Sequence, residues 1–359
     1  MEISRSIKEY GRMLLQSVLF WSIALGFYSI FRFFGIKEEI GVYTTVEYKF
    51  IRTILGFVIA GFLLGIVYAI LDFIFEKFPL KRMTLGFRII IMNVSYFVTT
   101  VIISTLILKT ASKILEIAIN TEPGWWWKDK SFWSIVIYLI LMSFVLSFIK
   151  IATEKFGKGV FFKMLTGKYR NPQEEKRIFM FLDLKDSTTI AESLGHYTYS
   201  QFIQDCFYDL NQVVPKYDAE IYQYVGDEAV LCWPYQKGIS HKKCIELFFD
   251  FRKLLQKRYD HYINRYERFP VFKAGLHGGN VMVTEVGTVK KELAYHGDVI
   301  NISARIQSKC NEYNEFFLIS SGLLNDIQIL PEDFAIRQIG DLKLKGKNEL
   351  VHICAVNQA

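Results

Sequence analysis

The sequence predicts a chain made of two kinds of structure. An N-terminal four-helix transmembrane α bundle occupies residues 1–150, and a C-terminal α+β domain occupies residues 177–359. Long apolar runs dominate the first part. Short β-branched and aromatic runs alternate with amphipathic stretches in the second. The basic excess gathers where the two meet. With 51% hydrophobic residues and a positive mean hydropathy, the chain is too apolar to be wholly water-soluble.

The apolar runs are 13–34, 51–75, 85–108 and 132–148, each near the twenty residues that a membrane-crossing helix needs. The first follows Arg5, Lys8 and Arg12, as in a signal peptide, but it is bulky and lacks a small-residue cleavage site. It therefore reads as an uncleaved anchor. Basic residues recur at Lys77, Lys81, Arg82 and Arg88 after the second run, and at Lys150, Lys155, Lys158 and Lys163 after the fourth. In a four-helix path all these positions lie on one side, which the positive-inside rule makes cytoplasmic. The expected location is the cell membrane, with the N-terminus and the C-terminal domain in the cytoplasm. The loop with Lys109, Lys113, Lys128 and Lys130 blurs the asymmetry, while Trp125, Trp126 and Trp127 suit the outer interface. Arg32, Asp72 and Arg88 fall near helix ends, where they are expected to snorkel, so the bundle reads as an anchor or signal receiver rather than a transporter.

Residues 151–176 hold Gly157, Gly159, Gly167 and Pro172 and read as a basic connector. Residues 1–149 carry 15 basic and 10 acidic side chains, residues 150–177 carry 8 and 3, and residues 178–359 carry 20 and 23. A nucleic-acid binder would place its excess on the folded domain, so that partner is excluded and the lipid bilayer is favoured. The cysteines, Cys206, Cys232, Cys244, Cys310 and Cys354, are odd in number without CxxC spacing. They read as free thiols rather than disulfides or a zinc site.

In the second part, periodicity predicts a strand at 177–184 and helices at 187–194 and 199–214. Strands at 219–224 and 229–233 flank the turn Val225-Gly226-Asp227-Glu228. A long amphipathic helix runs to about residue 266. Strands at 271–277 and 281–286, a helix at 298–309 and short strands to residue 356 complete the domain. The order βαββαβ with extra strands is that of a ferredoxin-like sandwich.

Four clusters in this domain carry chemistry. Asp183 ends the apolar run Phe179-Met180-Phe181-Leu182, where alternation calls for an apolar residue, and Asp227 sits in the hairpin turn. At a strand spacing of about 4.8 Å the two carboxylates can face each other, and a pair of divalent cations is the usual remedy for their repulsion. Asp in a turn also has ordinary structural uses. Asn301 and Arg305 are four apart and share a helix face, an amide beside a guanidinium suited to ribose and phosphate, or simply a solvated face. The basic turn Leu342-Lys343-Leu344-Lys345-Gly346-Lys347 is either a triphosphate contact or a charged hairpin.

In that order the four clusters resemble the class III adenylyl/guanylyl cyclase domain, over roughly residues 179–356. The resemblance implies that Asp183 and Asp227, with the Leu184 carbonyl, bind two divalent metal ions, Mg2+ or Mn2+. It implies that Asn301 orients the ribose, Arg305 stabilises charge at the α-phosphate, and Lys345 grips the β- and γ-phosphates. It further implies a homodimer with shared sites, converting ATP to 3′,5′-cyclic AMP and pyrophosphate. Adenylyl members usually read the base with a Lys three residues before the turn glycine and an Asp or Thr seven before the Asn. Those positions are Gln223 and Ala294 here, and the Glu and Cys of guanylyl members are also missing. ATP is thus favoured, with guanylate or dual specificity left open. Asn280 stands where some members have a phosphate-binding Arg.

Two rivals remain. Val225-Gly226-Asp227-Glu228-Ala229 approaches the GGDEF turn of diguanylate cyclases, without its second glycine or its phenylalanine. A degenerate cyclase domain acting as a receptor or binding module is the other.

Overall fold

A computed structural model describes residues 2–38, 50–77, 85–115, 124, 127, 130–156, 160–327, 334–343 and 350–358. Lys81, Arg82, Trp125, Trp126, Lys128, Gly157, Lys158, Gly159 and, of the basic turn, Leu344, Lys345, Gly346 and Lys347 lie outside them. The chain divides into two compact units, Met1–Ala152 and Thr153–Ala359.

The first unit holds four helices among the described residues: α1 (Glu2–Glu38), α2 (Phe50–Lys77), α3 (Leu85–Leu115) and α4 (Lys130–Phe156). α1 and α2 meet backbone to backbone at Gly61 and Gly65. A Cβ at Gly61 would stand 2.4 Å from the Trp21 carbonyl oxygen, and one at Gly65 would stand 2.6 Å from Val18 Cα. This small-xxx-small spacing lets helices approach closely without a hydrophobic drive from water. Trp21 is wholly buried there, edge-on to Tyr68 at 5.0 Å between ring centroids.

The unit's surface is inverted relative to a protein in water. Ile23 and Phe27 are 58% and 54% exposed, whereas Asp72 is 4% exposed. Asp72 does not snorkel as expected. It is buried because it accepts hydrogen bonds from Lys150 Nζ (2.5 Å) and from the Tyr96 hydroxyl, which join α2 to α4 and α3. Three stretches are long and apolar enough to cross a membrane: Met13–Arg32, Ile54–Ile74 and Phe132–Thr153. The run at 85–108 forms a helix, but its apolar part among the described residues is Ile90–Ile103, shorter than the bilayer core requires. Polar residues dilute it, and they have partners inside the unit: Thr100 bonds Tyr68 at 2.5 Å, and Asn93 bonds Ser143.

The second unit begins with the short helix α5 (Val160–Leu165) and is built on β1 (Gln173–Leu184). The next elements are α6 (Ser187–Val213), β2 (Glu220–Val225), β3 (Glu228–Pro234), α7 (Tyr235–Ile239), α8 (Lys243–Lys257) and α9 (Tyr259–Tyr266). They are followed by β4 (Phe272–Val286), β5 (Glu292–His296), α10 (Asp298–Glu312), β6 (Phe317–Ser320), α11 (Ser321–Asp326), β7 (Phe334–Lys343) and β8 (Leu350–Gln358). The sheet order is β2-β3-β1-β4-β6-β8-β7, with β5 paired to β4. Each of its first four strands runs antiparallel to its neighbour, the ferredoxin-like arrangement.

β1 is buried on both faces. Ile178, Met180 and Leu182 join Phe202, Leu210, Phe248 and Phe251 from α6 and α8. Phe179 and Phe181 join Val281, Val283, Tyr295 and Val299 on the opposite face. Side chains alternate along a strand, so Asp183 continues the Phe179–Phe181 row.

Three expectations need correction. The strands expected at 271–277 and 281–286 are one strand, β4, because Gly278 and Gly279 serve close packing instead of a turn. A Cβ at Gly278 would lie 2.7 Å from the Tyr235 ring, and one at Gly279 would lie 2.9 Å from Val299. The long helix ending near 266 is two, α8 and α9, broken at Arg258. β5 was not expected at all, because only two of its five residues, Leu293 and Ala294, are aliphatic.

Gly275 tests how tightly α10 sits on β4. A Cβ there would lie 2.2 Å from the Gln307 backbone nitrogen. Gly275→Ala is expected to destabilise the protein by about 1–3 kcal/mol, as overpacking does. Chemical denaturation of the full chain in detergent checks this, and an unchanged midpoint would refute the contact.

Candidate active site

The site grows from the end of the β1–β3 ladder. Asp183 pairs in register with Glu228 of β3 and with Lys273 of β4. β2 and β3 close on the pair Val225 and Glu228, leaving Gly226 and Asp227 as a two-residue loop. Gly226 has φ +61°, the left-handed conformation that such a hairpin gives to glycine at its first loop position. The loop therefore sets Asp227 beside the end of β1.

The electrostatics report this crowding. Burial, then Asp227, raises the Asp183 carboxyl above its ordinary range, against hydrogen bonds from Gln307 and the Leu184 backbone and the charge of Lys273. Burial, with Asp183 and Asp227 close by, pushes the Glu228 carboxyl up to about 7. The Tyr199 phenol, half-buried near Asp227, is pushed up to about 12, again with burial first. Thus Asp183 and Asp227 are brought together, with Glu228 at their side.

Gln307 Nε2 donates to Asp183 Oδ2 at 3.0 Å. Lys273, 6% exposed, donates to Asn311 Oδ1. Sequence reasoning missed Gln307, Lys273, Glu228 and Tyr199. A signal existed for the first two, since Gln307 interrupts the buried stripe of Val299, Ser303, Ile306 and Cys310, and Lys273 stands inside an apolar strand.

Asn301 and Arg305 lie on the other side of α10. A helix turns about 100° per residue, so both stand roughly opposite the buried stripe, and Arg305 is about 200° around the axis from Gln307. Their side chains have no hydrogen-bond or ion-pair partner among the described residues. The pair is not brought to Asp183 within one chain.

Gln223 is exposed on β2, and Ala294 is half-buried on β5 opposite Thr284. Tyr222 and Tyr295, their neighbours, touch at 5.0 Å between ring centroids. The β2 register shift between Ile221 and Gln223 sets Gln223 opposite Val230, on the sheet face of that contact, whereas alternation along β5 turns Ala294 away from it. Leu184 is buried as the last residue of β1. Asn280 Nδ2 donates to Glu174 Oε1 at 3.0 Å. Lys345 lies outside the described residues.

Among the described residues, no group of three or more His, Cys, Asp or Glu forms a cation cage by itself. The crowded carboxylates still fit Mg2+ or Mn2+. Such ions take one or two protein carboxylates and complete their shells with water and substrate phosphates.

An antiparallel ferredoxin-like core with a carboxylate at the end of β1 and another in the β2–β3 hairpin defines a nucleotide-cyclase type of domain. The chain belongs to the adenylate and guanylate cyclase catalytic domain family, whose model matches residues 170–355. It is 30% identical to Adenylate cyclase 2 of Rhizobium meliloti (strain 1021) over 223 residues, covering 62% of this chain and 61% of the relative. It is 23% identical to the adenylate cyclase of Anabaena cylindrica over 186 residues, covering 49% and 36%. The chain thus spans less than two thirds of the length of these relatives. In fold it is similar to a bacterial light-regulated adenylyl cyclase, with TM-score 0.51 and 17% identity, covering 62% of this chain and 65% of that one.

Repulsion at this edge has a measurable consequence. Asp227 has no hydrogen-bond partner among the described residues, so Asp227→Asn relieves charge and breaks no hydrogen bond there. In EDTA the variant is expected to melt a few degrees above the wild type. Added Mn2+ is expected to raise the melting temperature of the wild type and not that of the variant. Equal Mn2+ shifts in the two proteins would exclude Asp227 as a ligand.

Proposed function

We propose that the chain is a membrane-anchored adenylate cyclase, converting ATP to 3′,5′-cyclic AMP and pyrophosphate at a homodimer interface. The observation that carries this reading is the close pair Asp183 and Asp227, at the sheet edge of a domain belonging to the cyclase family. Two divalent ions, Mg2+ or Mn2+, held by Asp183, Asp227 and the Leu184 carbonyl, would lower the pKa of the ribose 3′-hydroxyl and neutralise the triphosphate. The 3′-hydroxyl gives its proton to solvent water, its oxygen bonds to the α-phosphorus as the bond to the α–β bridging oxygen breaks, and pyrophosphate departs with that oxygen.

Asn301 holds the ribose so that the 3′-oxygen faces the α-phosphorus, and Arg305 donates to the charge that develops there. Lys345 holds the β- and γ-phosphates. Gln223 offers the base one donor and one acceptor, and Ala294 leaves the second base-reading position apolar. The outward direction of Asn301 and Arg305 supports a site completed by a second copy. Each chain would give Asp183 and Asp227 to one site and Asn301 and Arg305 to the other.

Residues 1–150 act as the anchor and a possible sensor, 151–176 as the cytoplasmic connector and 177–359 as the catalytic domain. The exposed apolar side chains, the buried polar groups and the three helices long and apolar enough to cross support a membrane anchor, in which α3 would make the fourth crossing. The basic residues flanking them support a cytoplasmic N-terminus and catalytic domain.

Purified full-length protein given ATP, GTP and Mn2+ is expected to yield cyclic AMP as the main product, with measurable GTP turnover. Asp183→Ala is expected to lower kcat by at least about 100-fold. Near-normal turnover of that variant at saturating Mn2+ would refute the two-metal reading, and a linear dinucleotide product would point to a different cyclase. Interfacial sites predict complementation. Co-expressed Asp183→Ala and Arg305→Ala chains, each inactive alone, should regain activity from one intact site per heterodimer. A verified heterodimer that stays inactive would place both clusters in one chain's site.

A further inference from the structure

The inner face of α10 has a polar task of its own. Gln307 and Asn311 are four residues apart and share one face of the helix. Gln307 Nε2 donates to Asp183 Oδ2 at 3.0 Å, and Asn311 Oδ1 accepts from Lys273 Nζ. Asp183 and Lys273 stand directly opposite each other on β1 and β4, so their side chains leave the sheet on the same face. Two adjacent amides of one helix thus grip both members of a cross-strand Asp–Lys pair.

This grip is fixed by its surroundings. Gln307 is only 9% exposed and Lys273 6%, so water does not readily replace either contact. The Gln307 backbone rests on Gly275 closely enough that no side chain fits between them. An amide is also the right donor chemically. A lysine here would compete with a cation for Asp183, and a carboxylate would repel Asp183.

We propose that Gln307 is a positioning residue for divalent-cation binding, holding one oxygen of Asp183 so that the carboxylate stays turned to the edge it shares with Asp227. This rests on the reading of Asp183 and Asp227 as the metal carboxylates. Without that restraint the carboxylate must be ordered when the cation arrives, which weakens binding. Partners that orient metal ligands typically change affinity by about 10–100-fold when removed.

The test is Mn2+ binding to the full-length protein in detergent micelles without nucleotide, read from the electron paramagnetic resonance signal of free Mn2+. Gln307→Met keeps the length of the side chain and removes the donor. Gln307→Asn keeps the amide and withdraws it by one methylene. Both are expected to weaken Mn2+ binding by about 10-fold or more. The metal-free melting temperature should stay within a few degrees of the wild type, and the ATP KM at saturating Mn2+ should change less than about twofold. Should Gln307→Met fail to fold, Gln307→Asn carries the measurement. Wild-type Mn2+ affinity in the folded Gln307 variants, with affinity lost in Asp183→Asn, overturns the positioning role and leaves the metal reading standing. Wild-type affinity in Asp183→Asn as well overturns the metal reading, and this inference with it.

Discussion

Two carboxylates held at the end of a doubly covered strand are the constraint on which the C-terminal unit turns. Unit charges at a strand spacing of about 4.8 Å repel by about 3.5 kcal/mol at an effective dielectric of about 20. Asp183 cannot escape into water, because Phe179, Phe181 and Leu182 fix β1 from both sides and the strand alternation dictates its direction. Asp227 cannot escape either, because the Gly226 turn has only two residues to spend. The elevated Glu228 carboxyl is the visible consequence. The fold concentrates negative charge here and sets Lys273, Gln307 and the Leu184 backbone against it, an arrangement unlike a settled ion pair.

The same constraint explains the two-sided character of α10. Its buried stripe must pack on β4 and β6, and Gly275 brings the helix close enough for Gln307 to reach Asp183. Once that stripe is fixed, 3.6-residue periodicity sends Asn301 and Arg305 outward. One helix therefore touches the carboxylate of its own chain and offers a guanidinium elsewhere. The proposal of a shared site rests on this helix geometry and on the six buried positions that fix it.

In the N-terminal unit the balance of forces differs. Exposed Ile23, Phe27, Ile59 and Leu141 have no water-driven reason to be outside, whereas Asp72, Thr100 and Ser143 are inside with partners. Glycines at 61 and 65 bring α1 and α2 into backbone contact, and hydrogen bonds then link α2, α3 and α4. Asp72 sits where charge would be costly unless paired, and Lys150 pairs it near the end of α4.

The sequence alone determined much here, because local chemistry suffices for it. Apolar runs named four helices, three of which are long and apolar enough to cross a membrane, periodicity named β1 and β3, and the Gly226 turn named the hairpin that carries Asp227. Asp183 was legible as a carboxylate where an apolar residue belonged. Tertiary structure alone decided that Gly278 and Gly279 continue a strand, since only the neighbouring Tyr235 and Val299 require them to lack side chains. It also decided that Asp72 is paired instead of solvated, that Gln307 meets Asp183, and that Lys273 meets Asn311. The reason is the same in each case. Lys150 lies 78 residues from Asp72, and Gln307 lies 124 residues from Asp183. A sequence records the period of a helix or strand within a dozen residues, but which distant side chain meets a given carboxylate is fixed only when the elements pack.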